Sequence, residues 1–123
     1  MIVEDNPQMR QMIRAVVADL AEEVIECADG QEAVTAYRIQ QFTVNDRVLM
    51  DLKMPGIGGL EAARRIRAAF PDAQIIVVTQ YNDQHWRTAA IAAGACGYVL
   101  KENLLELREM LKKPLSAHAE LPL

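Results

Sequence analysis

The stretch Arg47-Val48-Leu49-Met50-Asp51-Leu52-Lys53-Met54-Pro55-Gly56 constrains the fold more than any other part of this chain. Val48 to Met50 is a short apolar run that reads as a buried strand. Asp51 interrupts it, and Pro55-Gly56 then ends regular structure. A carboxylate at the carboxyl end of a buried strand packs poorly and faces a loop. In open α/β sheets that rim is where ligands bind. Asp51 is therefore the candidate centre of the chemistry.

The chain on either side reads as alternating strands and helices. Met1 to Val3 ends a strand at Glu4-Asp5. The strand is short for a central one, which sets the expectation that the chain is trimmed at its start. Asn6-Pro7 starts a helix, with Asn6 as N-cap and Pro7 in the first turn. Met9, Met12, Ile13, Val16, Val17 and Leu20 follow at helical spacing and predict one apolar face. Glu23 to Ala28 reads as a second strand, and Asp29-Gly30 as a turn before a short helix to about Gln40.

Beyond the Asp51 strand, Gly59 to Phe70 predicts a helix with Leu60, Ala63, Ile66 and Phe70 facing inward. Gln74 to Thr79 is the clearest buried strand, rich in β-branched residues. A helix over 83–93 is closed by Gly94, Tyr98 to Leu100 is a fifth strand, and a last helix spans 104–112. This alternation predicts a doubly wound, five-stranded parallel sheet.

A chain of 123 residues suits one domain with a real core. Its net charge of −4, from 17 acids and 13 bases, argues against general nucleic-acid binding. No apolar stretch approaches the roughly 20 residues of a membrane helix. No signal-peptide pattern opens the chain, so the expected location is cytoplasmic, without membrane attachment. Cys27 and Cys96 have no metal-ligand spacing and read as reduced, small hydrophobic residues. Trp86 and His85 are read as surface residues of the fourth helix, with a partner contact as the other reading.

In a parallel sheet the strand ends share one rim. Glu4-Asp5, Asp51, Thr79 and Lys101 would therefore converge there, placing three carboxylates, a hydroxyl and an ammonium together. Alone, a strand-end aspartate solubilises a loop or caps a helix; the joint occurrence carries the signal. This constellation resembles the receiver domain of bacterial two-component response regulators. The motifs are Val3-Glu4-Asp5, Val48-Leu49-Met50-Asp51 with Met54-Pro55-Gly56, Val78-Thr79, and Gly97-Tyr98-Val99-Leu100-Lys101. Glu102 after Lys101, where many receivers carry proline, and the 93–98 run lean toward the NarL/LuxR-type subfamily.

The resemblance implies a flavodoxin-like sheet of strand order 2-1-3-4-5. It implies a receiver over 1–113 and a C-terminal tail over 114–123, which lacks a strong pattern and is expected to be mobile. Three crowded carboxylates repel unless a cation intervenes, and Mg²⁺ suits oxygen donors. By resemblance Asp5 and Asp51 would bind Mg²⁺ directly, Glu4 through water, and Lys53 by its backbone carbonyl. Asp51 would accept a phosphoryl group from a sensor histidine kinase, a phosphotransfer protein or a small donor. Lys101 would neutralise charge on that group. Thr79 would bond the new phosphate, and Tyr98 would change rotamer with it.

The implied output is transcription regulation, reaching DNA only through an output domain outside this chain. A second copy of the chain is a further candidate partner. The other readings are a degenerate receiver that binds partners without phosphorylation, a dehalogenase-type phosphatase, and a flavin binder. The phosphatase needs an acid where Lys53 stands, and Glu4-Asp5 would repel a flavin phosphate.

Two departures from the family pattern set expectations of their own. Gln80 and Tyr81 after Thr79 should shield Asp51, slowing phosphoryl entry and loss alike. Gly58-Gly59 in place of Asp-Gly should remove a helix cap and loosen the adjoining loop.

Overall fold

Residues at alternate positions of a strand point to opposite faces, so a strand buried on both sides must be apolar throughout. The computed structural model, which describes residues 1–113, shows this in its central strands. The strands are β1 (Ile2–Val3), β2 (Glu26–Cys27), β3 (Arg47–Met50), β4 (Gln74–Thr79) and β5 (Gly97–Leu100). The helices between and after them are α1 (Pro7–Val17), α2 (Gly30–Ile39), α3 (Gly58–Ala69), α4 (Gln84–Ala92) and α5 (Leu104–Leu111).

The strands form one sheet in the order β2-β1-β3-β4-β5, all parallel, as the resemblance implies. Val3, Val48, Met50 and Ile75 pack on one face beneath Ala33 and Tyr37 of α2 and Ala62, Ala63 and Ile66 of α3. Ile2, Leu49, Ile76, Val78 and Val99 face the other way, toward Ile13 and Val17 of α1 and Leu107 of α5. Each fully buried aliphatic side chain of this kind stabilises the fold by about 1.5–3 kcal/mol. Polar clamps close the second face. Arg108 donates to the Val16 carbonyl at 2.9 Å and pairs with Asp19 at 2.7 Å, joining α5 to α1. Among the described residues no helix is long and apolar enough to cross a membrane. The 114–123 tail lies outside the described residues.

Several expectations need correction. The second strand is Glu26–Cys27, shorter than 23–28, because β1 offers it only Ile2 and Val3 as partners. Asn6 does cap α1, accepting from the Met9 amide at 2.8 Å. Met12 nevertheless stays exposed within α1, and Leu20 is exposed because α1 ends at Val17 and a 3₁₀ turn over Ala18–Leu20 swings it off the apolar stripe. On α3 the buried residues are Gly59, Ala62, Ala63 and Ile66, while Leu60 and Phe70 are half-buried. Cys27 is a buried free thiol, but Cys96 is exposed just before β5 and is no core residue.

The glycine pair before α3 behaves differently from its expected role. Ile57 caps α3 without a side-chain bond, so the cap is indeed lost. The loop is held all the same, because the Gly59 amide donates to the Leu52 carbonyl at 2.9 Å. A Cβ on Gly59 would lie 1.9 Å from the Asp51 carbonyl oxygen, so the helix start is pressed against the backbone of the Asp51 segment.

Gly59→Ala should therefore destabilise the fold by about 2–3 kcal/mol, as overpacking against backbone does. Gly56 has a φ of +84° but open space around its Cβ position, so Gly56→Ala should cost only about 1 kcal/mol. Urea unfolding midpoints of the two variants compare these effects; equal midpoints would mean that the α3 start yields freely.

Candidate functional site

Backbone ladders place the functional side chains at one rim of the sheet. The Glu4 amide donates to the Cys27 carbonyl and the Asp51 amide to the Val3 carbonyl, each at 3.0 Å. These bonds carry the β2-β1-β3 ladder one residue past the strands, so both acids stand at the same rim. Thr79 ends β4 opposite Leu100, and Lys101 follows Leu100 directly.

Lys101 is the hub of the rim. Its Nζ lies 2.7 Å from Glu4 Oε1 and 3.1 Å from Asp51 Oδ2. The direct contact with Glu4 is the shorter one, which the sequence did not suggest. Glu4 Oε2 accepts from the Asn6 amide at 3.1 Å, and Asp51 Oδ1 accepts from the Leu52 amide at 2.8 Å. Glu4 and Asp51 are 1% and 5% exposed, yet both are acids. Asp5 is exposed at the rim above them.

Burial pushes the Asp51 carboxyl above its ordinary value; Lys101 and the Leu52 amide oppose the shift and Asp5 adds to it. Burial raises Glu4 as well, against the pull of Lys101 and the Asn6 amide. For Lys101 burial works downward, but contact with Glu4 and Asp51 outweighs it and holds the ammonium above its usual range.

The donor set fits a hard divalent cation. One carboxylate oxygen from each of Glu4, Asp5 and Asp51 lies within 4.8 Å of the others. Unit charges about 4 Å apart interact by about 4 kcal/mol at an effective dielectric of about 20. Three like-charge repulsions face the attractions of Lys101 to two of the acids, so the rim is short of positive charge. Glu4 Oε1 is also buried without a hydrogen bond of acceptable angle, since Lys101 meets it off-axis as an ion pair. An oxygen-seeking ion such as Mg²⁺ suits that remaining capacity.

Glu4, Asp5, Asp51 and Lys101 line one open cleft of about 380 Å³, together with Lys53, Gln80 and Tyr81. Thr79 is wholly buried and does not contribute to the lining. Its Oγ1 accepts from the Tyr81 amide at 3.4 Å, a long bond. The Tyr98 hydroxyl donates to the Tyr81 carbonyl at 2.6 Å, and Arg87 lies over the Tyr98 ring at 4.6 Å. Tyr81 thus joins Thr79 to Tyr98 through its own backbone, a link no residue pattern announces. Trp86 is half-buried beside Leu52, Val77, Ala90 and Tyr98, while His85 is exposed. A larger depression of about 490 Å³ opens around Met1, Phe42, Arg47 and Leu111. It holds none of the convergent rim groups, so size does not locate the chemistry here.

A parallel 2-1-3-4-5 sheet whose carboxyl rim gathers three acids around a lysine defines a flavodoxin-like α/β domain built for ligand chemistry at that rim. The chain belongs to the response regulator receiver domain family of two-component systems, whose model matches residues 1–112. It is 40% identical over 113 residues to the uncharacterized transcriptional regulatory protein YhcZ of Bacillus subtilis, a match covering 90% of this chain and 50% of that protein. It is 37% identical over 108 residues to the response regulator GacA of Pseudomonas aeruginosa, covering 86% and 49%. The crystal structure of a LuxR-family two-component response regulator from Aurantimonas sp. SI85-9A1 superposes with a TM-score of 0.83 at 34% identity, covering 97% and 83%. These likenesses agree with the NarL/LuxR-type resemblance of the sequence. The chain spans about half the length of the curated relatives it matches.

The charge balance of the rim has a testable pH signature. Raised carboxyl pKa values mean that the folded state holds protons the unfolded chain has released. Stability therefore falls as pH rises from the ordinary carboxylate range through the raised values. In metal-free buffer, Lys101→Met should lose about 3 kcal/mol at neutral pH, and less near the ordinary carboxylate range, where Glu4 and Asp51 can be neutral. Denaturant titrations at the two pH values measure both losses, and a pH-independent loss would contradict this account of the rim.

Proposed function

We propose that Asp51 is the phosphoacceptor of this receiver, and that phosphorylation switches a surface controlling an output. The observation that carries the reading is the Lys101 ammonium bridging Glu4 and Asp51, with Asp5 beside them at an open cleft. The donor would be the phosphohistidine of a sensor histidine kinase or phosphotransfer protein, or a small acyl phosphate. An Asp51 carboxylate oxygen forms a bond to phosphorus as the bond to the imidazole nitrogen, or to the acyl oxygen, breaks. The departing imidazole nitrogen then picks up a proton from solvent.

Lys101 favours the anionic, nucleophilic form of Asp51 against burial and afterwards draws phosphoryl charge to itself. Bound Mg²⁺, held by Asp5, Asp51, Glu4 and the Lys53 carbonyl, would neutralise charge on the transferring group. Catalysis in such transfers is mostly positioning and electrostatics, which suits a domain that serves as its own phosphoryl acceptor. Self-catalysed loss of the group to water completes the cycle.

The switch follows from the hydrogen bonds around Tyr81. If the Thr79 hydroxyl turns to the phosphoryl group, it gives up the long bond from the Tyr81 amide. The Tyr81 carbonyl then moves, and Tyr98 loses its fixed acceptor. That would shift the population of conformers at α4 and β5. By the likeness to transcriptional regulatory proteins, the output is transcription, reached through a DNA-binding part outside this chain.

Acetyl phosphate with Mg²⁺ should add one phosphoryl group to the parent and none to Asp51→Asn, as read by intact mass. Millimolar Mg²⁺ should raise the thermal midpoint of the parent but not of Asp5→Ala. Failure of the parent to gain mass would leave a receiver that works by binding alone.

Gln80 is exposed and Tyr81 half-buried, and both line the cleft. Gln80→Ala and Tyr81→Ala should speed uptake and decay of the phosphoryl group severalfold. Slower decay in Gln80→Ala would mean that its amide orients the attacking water.

A further inference from the structure

We propose that Lys53 is a second phosphoryl-binding cation, held between uses on the aromatic pair Tyr81 and Trp86. The proposal rests on the phosphoacceptor reading of Asp51. Lys53 stands two residues past Asp51, and this exposed residue lines the same cleft. Among the described residues it forms no ion pair with an acid. Its ammonium lies instead 5.9 Å from the Tyr81 ring centre and 5.7 Å from that of Trp86. The two rings are 5.4 Å apart and tilted by 31°, and the ammonium lies at nearly the same distance from each.

Both distances sit near the roughly 6 Å limit of cation–π attraction. A stronger anion in the cleft would therefore draw the ammonium away. Such an anion arrives with the phosphoryl group, which carries about −1.5 to −2 charges where Asp51 carried one. Lys53 and Lys101 are the cations lining the cleft, and Lys101 is already committed to Glu4 at 2.7 Å. Lys53 is thus the uncommitted positive charge beside Asp51. Its departure uncovers Trp86, which is the only tryptophan of the chain and packs in α4 near Tyr98. Occupancy of the site would reach α4 by this route as well as through Thr79 and Tyr98.

The test uses the full chain as parent, Lys53→Met and Lys53→Arg, each treated with acetyl phosphate and Mg²⁺ at low and high salt. Phosphoryl uptake should be roughly three- to fivefold slower in Lys53→Met, as for one exposed charge contact. Lys53→Arg should restore it, and high salt should erase the difference. Trp86 emission should change on phosphorylation of the parent and change less in Lys53→Met, where only the route through Thr79 and Tyr98 remains. Equal uptake in all three proteins, with the same Trp86 signal, overturns the role of Lys53 and leaves Asp51 as the acceptor. A parent that gains no phosphoryl mass overturns the Asp51 reading and this proposal together.

Discussion

The contact of Lys101 Nζ with Glu4 Oε1 at 2.7 Å and Asp51 Oδ2 at 3.1 Å governs the carboxyl rim. A buried carboxylate without a partner would cost several kcal/mol or take up a proton. Two such acids can share one rim only because the strand after β4 delivers an ammonium between them. The parallel order does this without any special loop, since the three groups are the first residues beyond three strand ends. Asp5 then adds a negative charge that Lys101 does not pair, which leaves the rim receptive to a further cation and to a charged substrate.

That receptivity depends on stiffness elsewhere. Leu49, Ile76 and Val78 anchor one sheet face on α1 and α5, and Val48, Met50 and Ile75 anchor the other on α2 and α3. Arg47 ties β3 to the far end of α5 by donating to the Leu111 and Lys113 carbonyls at 3.3 and 3.2 Å. Around the fourth helix the packing is thinner. Leu52, Val77 and Ala90 form a small cluster there, closed by the partly exposed Trp86 and Tyr98. Motion at the rim has least to displace on that side.

Much of this was legible in the residues. Apolar runs broken by an acid, a threonine or a lysine give the strand ends, and parallel order brings them together. What escaped has physical reasons. The length of β2 depends on its neighbour β1 and not on the apolar character of Val24 and Ile25. Leu20 fits the helical period, but α1 ends before reaching it. Exposure of Cys96 follows from its place ahead of an edge strand, and composition carries no such information. The Glu4–Lys101 distance and the Tyr81 backbone link are set by side-chain and loop geometry, which no spacing rule encodes.

The press of Gly59 against the Asp51 carbonyl divides the cleft's surroundings into two kinds of wall. On the α3 side a single added methyl group meets backbone, so that wall has almost no room for inherited variation. On the β4–α4 side Tyr81 leans on Trp86, but Gln80 is exposed at the cleft, and many side chains could stand in its place. A lineage carrying this fold would therefore set the tempo of its signal from one side only. Asp51 stays fixed in place while the residue at position 80 facing it is free to drift.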